Sequence, residues 1–142
     1  DRFLLRVALG YPDEATERAL LAGSDRRELI AQAQPLLDAE RILDLRRAVQ
    51  AVHASDPLVA YVQALVGRSR RHPGVRVGLS PRAGLALLRA ARAHALLLGR
   101  GHALPEDVQA LFGAVAEHRL VGEADASTTT LAREILHAVA ID

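Results

Sequence analysis

The chain contains no cysteine and no lysine. Without cysteine there is no disulfide framework, no thiolate nucleophile and no zinc–thiolate site. That suits a reducing compartment, and a cytoplasmic location is expected. Without lysine the chain cannot build the G-x-x-x-x-G-K-[ST] cradle for a β/γ-phosphate, and no acidic cluster of the Walker B kind offers a Mg²⁺ site. Aromatic residues are limited to Phe3, Tyr11, Tyr61 and Phe112, too few for a base-stacking platform. A formal charge of +1 lacks the basic excess of a general nucleic-acid surface, so no nucleic-acid partner is expected. Long apolar runs are missing too. Runs such as Ala95–Leu98 fall far short of the roughly 20 residues needed to cross a bilayer, and no leader-like segment opens the chain. No membrane partner is expected.

What remains is helical text. At 142 residues the chain suits one domain with one core, and its hydrophobic half is mostly Ala and Leu, both strong helix formers. All 18 basic residues are arginine, which composition bias in the genome explains. Residues 3–9 are apolar and strand-like and end at Gly10-Tyr11-Pro12. Asp13 then caps a short helix to about Ala22, broken by Gly23-Ser24-Asp25. Asp38 opens a second helix with Ile42, Leu45, Val49 and Val52 at helical spacing. Asp56-Pro57 opens a third, with Leu58, Val62, Leu65 and Val66 on one face. A turn with an extended piece at Val75-Arg76-Val77 leads to a fourth helix from Pro81 to about Leu98, ended by Gly99-Arg100-Gly101. Pro105-Glu106-Asp107 starts a fifth, and Ser127 is a candidate cap for the last, after a small-residue stretch from Gly122 to Thr130.

The most informative turn is Gly78-Leu79-Ser80-Pro81-Arg82-Ala83. Ser80 suits the N-cap, and Pro81 suits the first helical position, where its missing donor costs nothing. Arg82 opposes the helix macrodipole there, which makes better sense if an anion shares the site. A solvated arginine is the plain alternative. On the fourth helix Gly84, Leu87, Leu88, Ala91, Ala95 and Leu98 fall on one face, with Arg82 and Arg89 opposite. Such a helix can bury its stripe in a bundle and turn both arginines toward a second body.

Other chemical signals are weak. Gly78-Leu79-Ser80 begins like a nucleophile elbow, but Arg82 stands where the final glycine belongs. Glu134 and His137 have the spacing of one half of a di-iron motif, without the partners it requires, and read as a surface pair. The histidines at 53, 72, 94, 102, 118 and 137 follow no metal-ligand spacing, so no metal site is expected. His94, bordering an apolar face, reads as a hydrogen-bonded packing residue. His118-Arg119 reads equally well as a domain contact or as the polar end of a helix.

The segment from Ser69 to Ala83, Ser-Arg-Arg-His-Pro-Gly-Val-Arg-Val-Gly-Leu-Ser-Pro-Arg-Ala, resembles the "TR-x-HP-x-V-x-x-G-x-SPRA" stretch in the lid of MoxR-family AAA+ ATPases. Gly99-Arg100-Gly101-His102-Ala103-Leu104-Pro105-Glu106-Asp107-Val108 is similar to that family's "GR-x-x-V-x-P-x-DV", and His118-Arg119 to its "HR". Asp1-Arg2-Phe3 with Gly10-Tyr11-Pro12 resembles its "LDRF…GYP" exit from the ATPase core. The likeness covers residues 1 to about 122. It departs at Ser69, where threonine is usual, and at His102, where an aromatic residue is common.

The resemblance implies an all-α helical bundle of about five to six helices, an AAA+ lid, with a short N-terminal strand remnant and a minor extended piece near 75–77. Residues 1–12 would be the end of the ATPase core and 13–142 the lid, so the chain reads as a piece of something longer. Arg82 would be the sensor 2 arginine, contacting the γ-phosphate of ATP with Ser80 and Pro81 forming its turn. Arg2 would be the arginine finger, acting in trans on a neighbouring subunit's nucleotide. ATP and Mg²⁺ would belong to the full-length protein, and this chain alone would neither bind them tightly nor hydrolyse ATP. Implied partners are the upstream AAA+ core, neighbouring subunits of a hexamer, and a client such as a metalloenzyme or a von Willebrand A-type protein, matured in a chaperone-like way. An alternative of another class is a stand-alone helical module binding protein or nucleic acid through Arg68, Arg70, Arg71, Arg76 and Arg82.

Overall fold

Short polar side chains fix where the helices of this computed structural model begin. It describes residues 3–23, 30–123 and 126–141. Asp13 accepts from the Thr16 amide at 2.7 Å and starts α1 (Glu14–Ala22), which drops its carboxyl below the usual carboxylate range. Asp38 does the same for α2 (Ala39–Ala51), accepting from the Arg41 amide at 2.8 Å. Ser55 caps α3 (Asp56–Arg71), and Ser80 caps α4 (Pro81–Leu97). Proline stands in the first turn of α3, α4 and α5 (Pro105–Ala116), where no intrahelical donor is lost. The last helix, α6 (Thr128–His137), follows Ser127, whose side chain makes no capping bond.

Helices α3 to α6 enclose one core. Leu65, Leu87, Ala91, Ala95, Val108, Phe112, Val115 and Ile135 are essentially inaccessible. Central to it is α4, which packs against α2, α3 and α5. Its buried positions are Ala83, Ala86, Leu87, Ala90, Ala91 and Ala95, so the stripe is rotated from the expected one. Gly84 and Leu88 are half-buried and Leu98 is exposed. The shift follows from side-chain size: alanines let neighbouring helices approach from two sides, and Gly84 admits Val66, whose Cγ2 would lie 3.2 Å from an added Cβ.

The sheet is minimal. Strand β1 (Val75–Val77) pairs antiparallel with β2 (Val121–Gly122), Val75 opposite Gly122 and Val77 opposite Val121, with an irregularity between them. The extended piece expected near 75–77 is therefore present. Residues 3–9, expected as a strand remnant, form no ladder. Their backbone meets a helix end instead of a strand, with the Arg6 amide donating to the Ala114 carbonyl at 2.8 Å.

α4 ends in a Schellman motif. Gly99 takes a left-handed φ of 73°, its amide reaches the Leu96 carbonyl, and the Arg100 amide reaches the Ala95 carbonyl. That reversal delivers Arg100 to α5. The two inter-helix loops are also joined, through the His53 amide to the Gly101 carbonyl and the Ala103 amide to the His53 carbonyl, each at 2.9 Å. No described helix is long and apolar enough to cross a membrane.

Candidate functional site

The turn carrying Arg82 is set by contacts reaching back to the end of α3. Ser69 is fully buried, with 0% of its surface exposed. Its hydroxyl donates to the Val66 carbonyl at 2.7 Å and accepts from the Leu79 amide at 2.9 Å. Next to it, the Arg70 Nε donates to the Leu79 carbonyl at 2.8 Å. Both polar groups of Leu79 are thus paired with adjacent side chains of α3, and its own side chain is buried in the core. Gly78 makes this approach possible: a Cβ there would sit 2.8 Å from the Arg70 Cα and amide nitrogen. Backbone meets backbone at that point, so only glycine fits without displacement.

From that anchor the helix starts. The Ala83 amide reaches the Ser80 hydroxyl at 3.2 Å, and the Ala83 and Gly84 amides also lie within bonding distance of the Ser80 carbonyl. Ser80 and Pro81 therefore shape the turn, while the exposed Arg82 supplies the charge. Arg82, Leu85, Ala86 and Arg89 line one side of an open pocket of about 430 Å³, completed by Phe3, Leu4 and Arg119. Arg82 and Arg89 share it as expected from their common face. Arg2 lies outside the described residues.

Arg119 is tied to backbone. Its Nη1 donates to the Leu4 carbonyl at 3.0 Å and to the Val115 carbonyl, and its Nη2 donates to the Phe3 carbonyl. Burial disfavours its charged form and lowers its pKa, yet an arginine stays protonated at any physiological pH. The pocket thus has two exposed guanidinium groups on one helix and a third engaged at its rim.

A second polar cluster lies at the other end of α4. Asp107 is only 1% exposed and receives four hydrogen-bond contacts. Arg100 donates bidentately, Nη1 to Oδ2 at 2.8 Å and Nη2 to Oδ1 at 2.6 Å. The Leu104 amide donates to Oδ2 at 2.8 Å, and the His94 Nδ1 lies 2.7 Å from Oδ1. The Arg100 guanidinium above all holds this carboxyl far below the usual carboxylate range, against burial, and the carboxylate in turn raises Arg100. His94 is the hydrogen-bonded packing residue its position suggested. The cluster locks the α4–α5 junction and carries no exposed reactive group.

Sequence reasoning missed three of these roles. Ser69 stood out only as a departure from threonine, although its hydroxyl makes the bond on which the turn hangs. From sequence Asp107 reads only as part of a helix start and Arg100 only as part of a helix stop. The arginine-to-aspartate spacing across a proline-started helix was the available signal. The expected Glu134–His137 surface pair does not form; Glu134 reaches His72 instead, at 3.2 Å. On a helix i and i+3 are neighbours, but His72 presents its ring from the end of α3. Of the arginines in the alternative binding cluster, Arg70 is committed to Leu79 and Arg68 is half-buried, which breaks up that surface. Among the described residues no group of three His, Asp or Glu side chains is arranged to hold a metal ion.

Comparison with known proteins agrees with this geometry. Residues 67–138, which hold the Arg82 turn and the Asp107 cluster, match the family described as the AAA lid domain. Over 99% of its length the chain is 34% identical to the YeaC protein of Bacillus subtilis, covering 46% of that protein. It is 32% identical over 96% to Chaperone MoxR1 of Mycobacterium tuberculosis, covering 38% of it. With Protein MoxR of Paracoccus denitrificans the identity is 36% over 84%, covering 41%. The chain thus spans less than half the length of each relative. The crystal structure of a candidate ATPase from Cytophaga hutchinsonii superposes with a TM-score of 0.82 at 24% identity, over 99% of this chain and 47% of that one. The chain belongs to the AAA lid domain family and is similar over most of its length to proteins named MoxR.

Proposed function

We propose that this lid reports nucleotide state through Arg82, in cis, to an AAA+ core that precedes it in the full-length protein. Residues 13–142 are the lid proper and residues 1–12 the end of the core. The observation that carries the reading is the seat of Arg82: an exposed guanidinium on a turn fixed to α3 through Ser69, Arg70 and Gly78. A fixed support under an exposed, permanently charged fork suits recognition of a phosphate oxygen. Ser80 and Pro81 hold the turn. Arg82 fits the γ-phosphate end of ATP, whose phosphate chain and Mg²⁺ would be held by the core, because lysine and a suitable acidic group are missing from this part.

Arg2 is the arginine finger of the same reading, offered in trans within a hexamer, where such a residue is worth about 10³–10⁵ in rate. The name of one relative, Chaperone MoxR1, supports a chaperone-like role; maturation of a client protein, in the cytoplasm, belongs to the same proposal.

Calorimetry and turnover assays test the division of labour. The 142-residue chain is expected to show no tight ATP binding and no Mg²⁺-dependent hydrolysis, whereas the full-length protein shows both. A micromolar dissociation constant for the chain alone would move the active site into it.

A further inference from the structure

The Arg119 side chain joins two parts of the molecule that are more than a hundred residues apart. It reaches the Val115 carbonyl in the last turn of α5, and with the same guanidinium it reaches the Phe3 and Leu4 carbonyls. The same few residues are held at two further points. Leu5 packs against the core, and the Arg6 amide donates to the Ala114 carbonyl at 2.8 Å. Beyond that point the apolar side chains are exposed: Val7, Leu9 and Tyr11, the last completely. The attachment is therefore a short clamp over residues 3–6 and not a packed strand. Arginine suits it, since a flat fork of five donors can serve three carbonyls that do not converge on one point. A cation is also favoured where the helix exposes unpaired carbonyls. Phe3 and Leu4 lie along the pocket opposite Arg82, Leu85 and Arg89, so the clamped segment borders the face proposed to meet nucleotide.

We infer that Arg119 is a positioning residue: it latches residues 3–6 to the C-terminal end of α5 and thereby sets where the Arg82 face stands relative to the core that this segment leaves. The functional half of the inference rests on the lid reading above; the latch itself does not. Without it the segment keeps the Arg6 bond and the Leu5 contact, but its first two carbonyls lose their partner. The lid then pivots about residues 7–12, and Arg82 spends less time in register with its phosphate.

Hydrogen exchange on the full-length protein tests the latch through the protection of the Arg6 amide divided by that of the Leu111 amide inside α5. In Arg119→Ala this ratio is expected to fall by about tenfold or more, because opening becomes local to the segment. Arg119→Lys keeps the charge at the helix end but lacks the fork, and is expected to fall in between. A ratio that stays at the parent value in both variants, whether both amides hold or both weaken together, overturns the latch. The positioning role is read separately from ATP turnover. Arg119→Ala is expected to lower kcat about fivefold with KM within about twofold, as misplacement of a catalytic group does. An unchanged kcat with a lowered ratio overturns the positioning role. Loss of turnover in Arg119→Ala but none in Arg82→Ala would count against the sensor reading while leaving the latch in place.

Discussion

The hydroxyl of Ser69 and the amide of Leu79 are bonded at 2.9 Å in a site without solvent, ten residues apart in sequence. The bond joins the last turn of α3 to the loop that starts α4, and so connects the arginine-rich end of one helix to the arginine at the start of the next. Ser69→Ala leaves the Leu79 amide buried without a partner, a loss of about 1–3 kcal/mol. Chemical denaturation is expected to show that loss, with amide exchange at Leu79 and Ala83 rising more than at Phe112. Ser69→Thr should be tolerated if its added methyl finds room beside Val66. An unchanged midpoint in Ser69→Ala would mean that the turn is held by Arg70 and Gly78 alone.

Gly78 provides the complementary test. A methyl group there meets the Arg70 backbone at 2.8 Å, and a backbone cannot rotate away as a side chain can. Gly78→Ala is expected to cost about 1–3 kcal/mol, the usual range for overpacking. In Gly101, where nothing lies within 4 Å of a Cβ, the same change should be nearly silent. Thermal melts of the two variants, compared with the parent, distinguish a close approach from a general effect of removing glycine.

Local chemistry is what the sequence made legible. Asp13, Asp38, Ser80 and Pro105 each announce a helix start through a side chain that acts within three residues, and all four starts occur where expected. The Val75–Val77 piece was equally visible from its β-branched residues. Bonds between distant residues were not legible, because no local pattern encodes them. The strand expected at residues 3–9 had the right composition but meets the end of α5, and a strand without a neighbouring strand makes no ladder. The stripe on α4 was misplaced for a related reason. Periodicity identifies an apolar face, but which alanines are buried depends on how closely α3 and α5 approach. At the candidate site, motif likeness singled out Arg82, while its support by Ser69 and Gly78 emerged only from the packing.

The pairing of Arg100 with Asp107 has a pH signature. Asp107 in the folded chain titrates well below its unfolded value of about 3.9, so the unfolded state takes up its proton first as acid is added. The stabilisation is complete at neutral pH, begins to fade as the pH falls toward about 4, and continues to fade below it. Asp107→Asn should flatten this acid limb and also lower stability at pH 7, since a neutral amide answers neither Arg100 nor His94 as a carboxylate does. Arg100 keeps 24% of its side chain in solvent, so the loss stays below that of a fully buried pair. Denaturation midpoints of parent and variant at pH 7 and pH 3 check both statements: the two curves should converge in acid. Parallel curves would place the acid sensitivity elsewhere.

Arg82 and Arg89 put the sensor reading to its sharpest test because they differ in little besides position. Both are exposed, both sit on α4, and both line the same pocket. Seven residues of helix separate them by about 10 Å along the axis. Only Arg82 stands in the first turn, where the positive end of the helix dipole would reinforce its hold on an anion. Arg82→Ala in the full-length protein should leave the fold nearly untouched, within about 0.5 kcal/mol, as exposed substitutions do. ATP hydrolysis should fall by about tenfold or more, since a charged donor aimed at developing phosphate charge acts mainly on the transition state. Arg89→Ala should reduce hydrolysis far less, its distance leaving it to the edge of the phosphate field. Equal and small losses in the two variants would make Arg82 an ordinary surface arginine. A collapse of the lid in Arg82→Ala, read as a lowered melting temperature, would make its role structural. A selective loss of turnover with an unchanged melting temperature is the outcome that assigns Arg82 to the nucleotide.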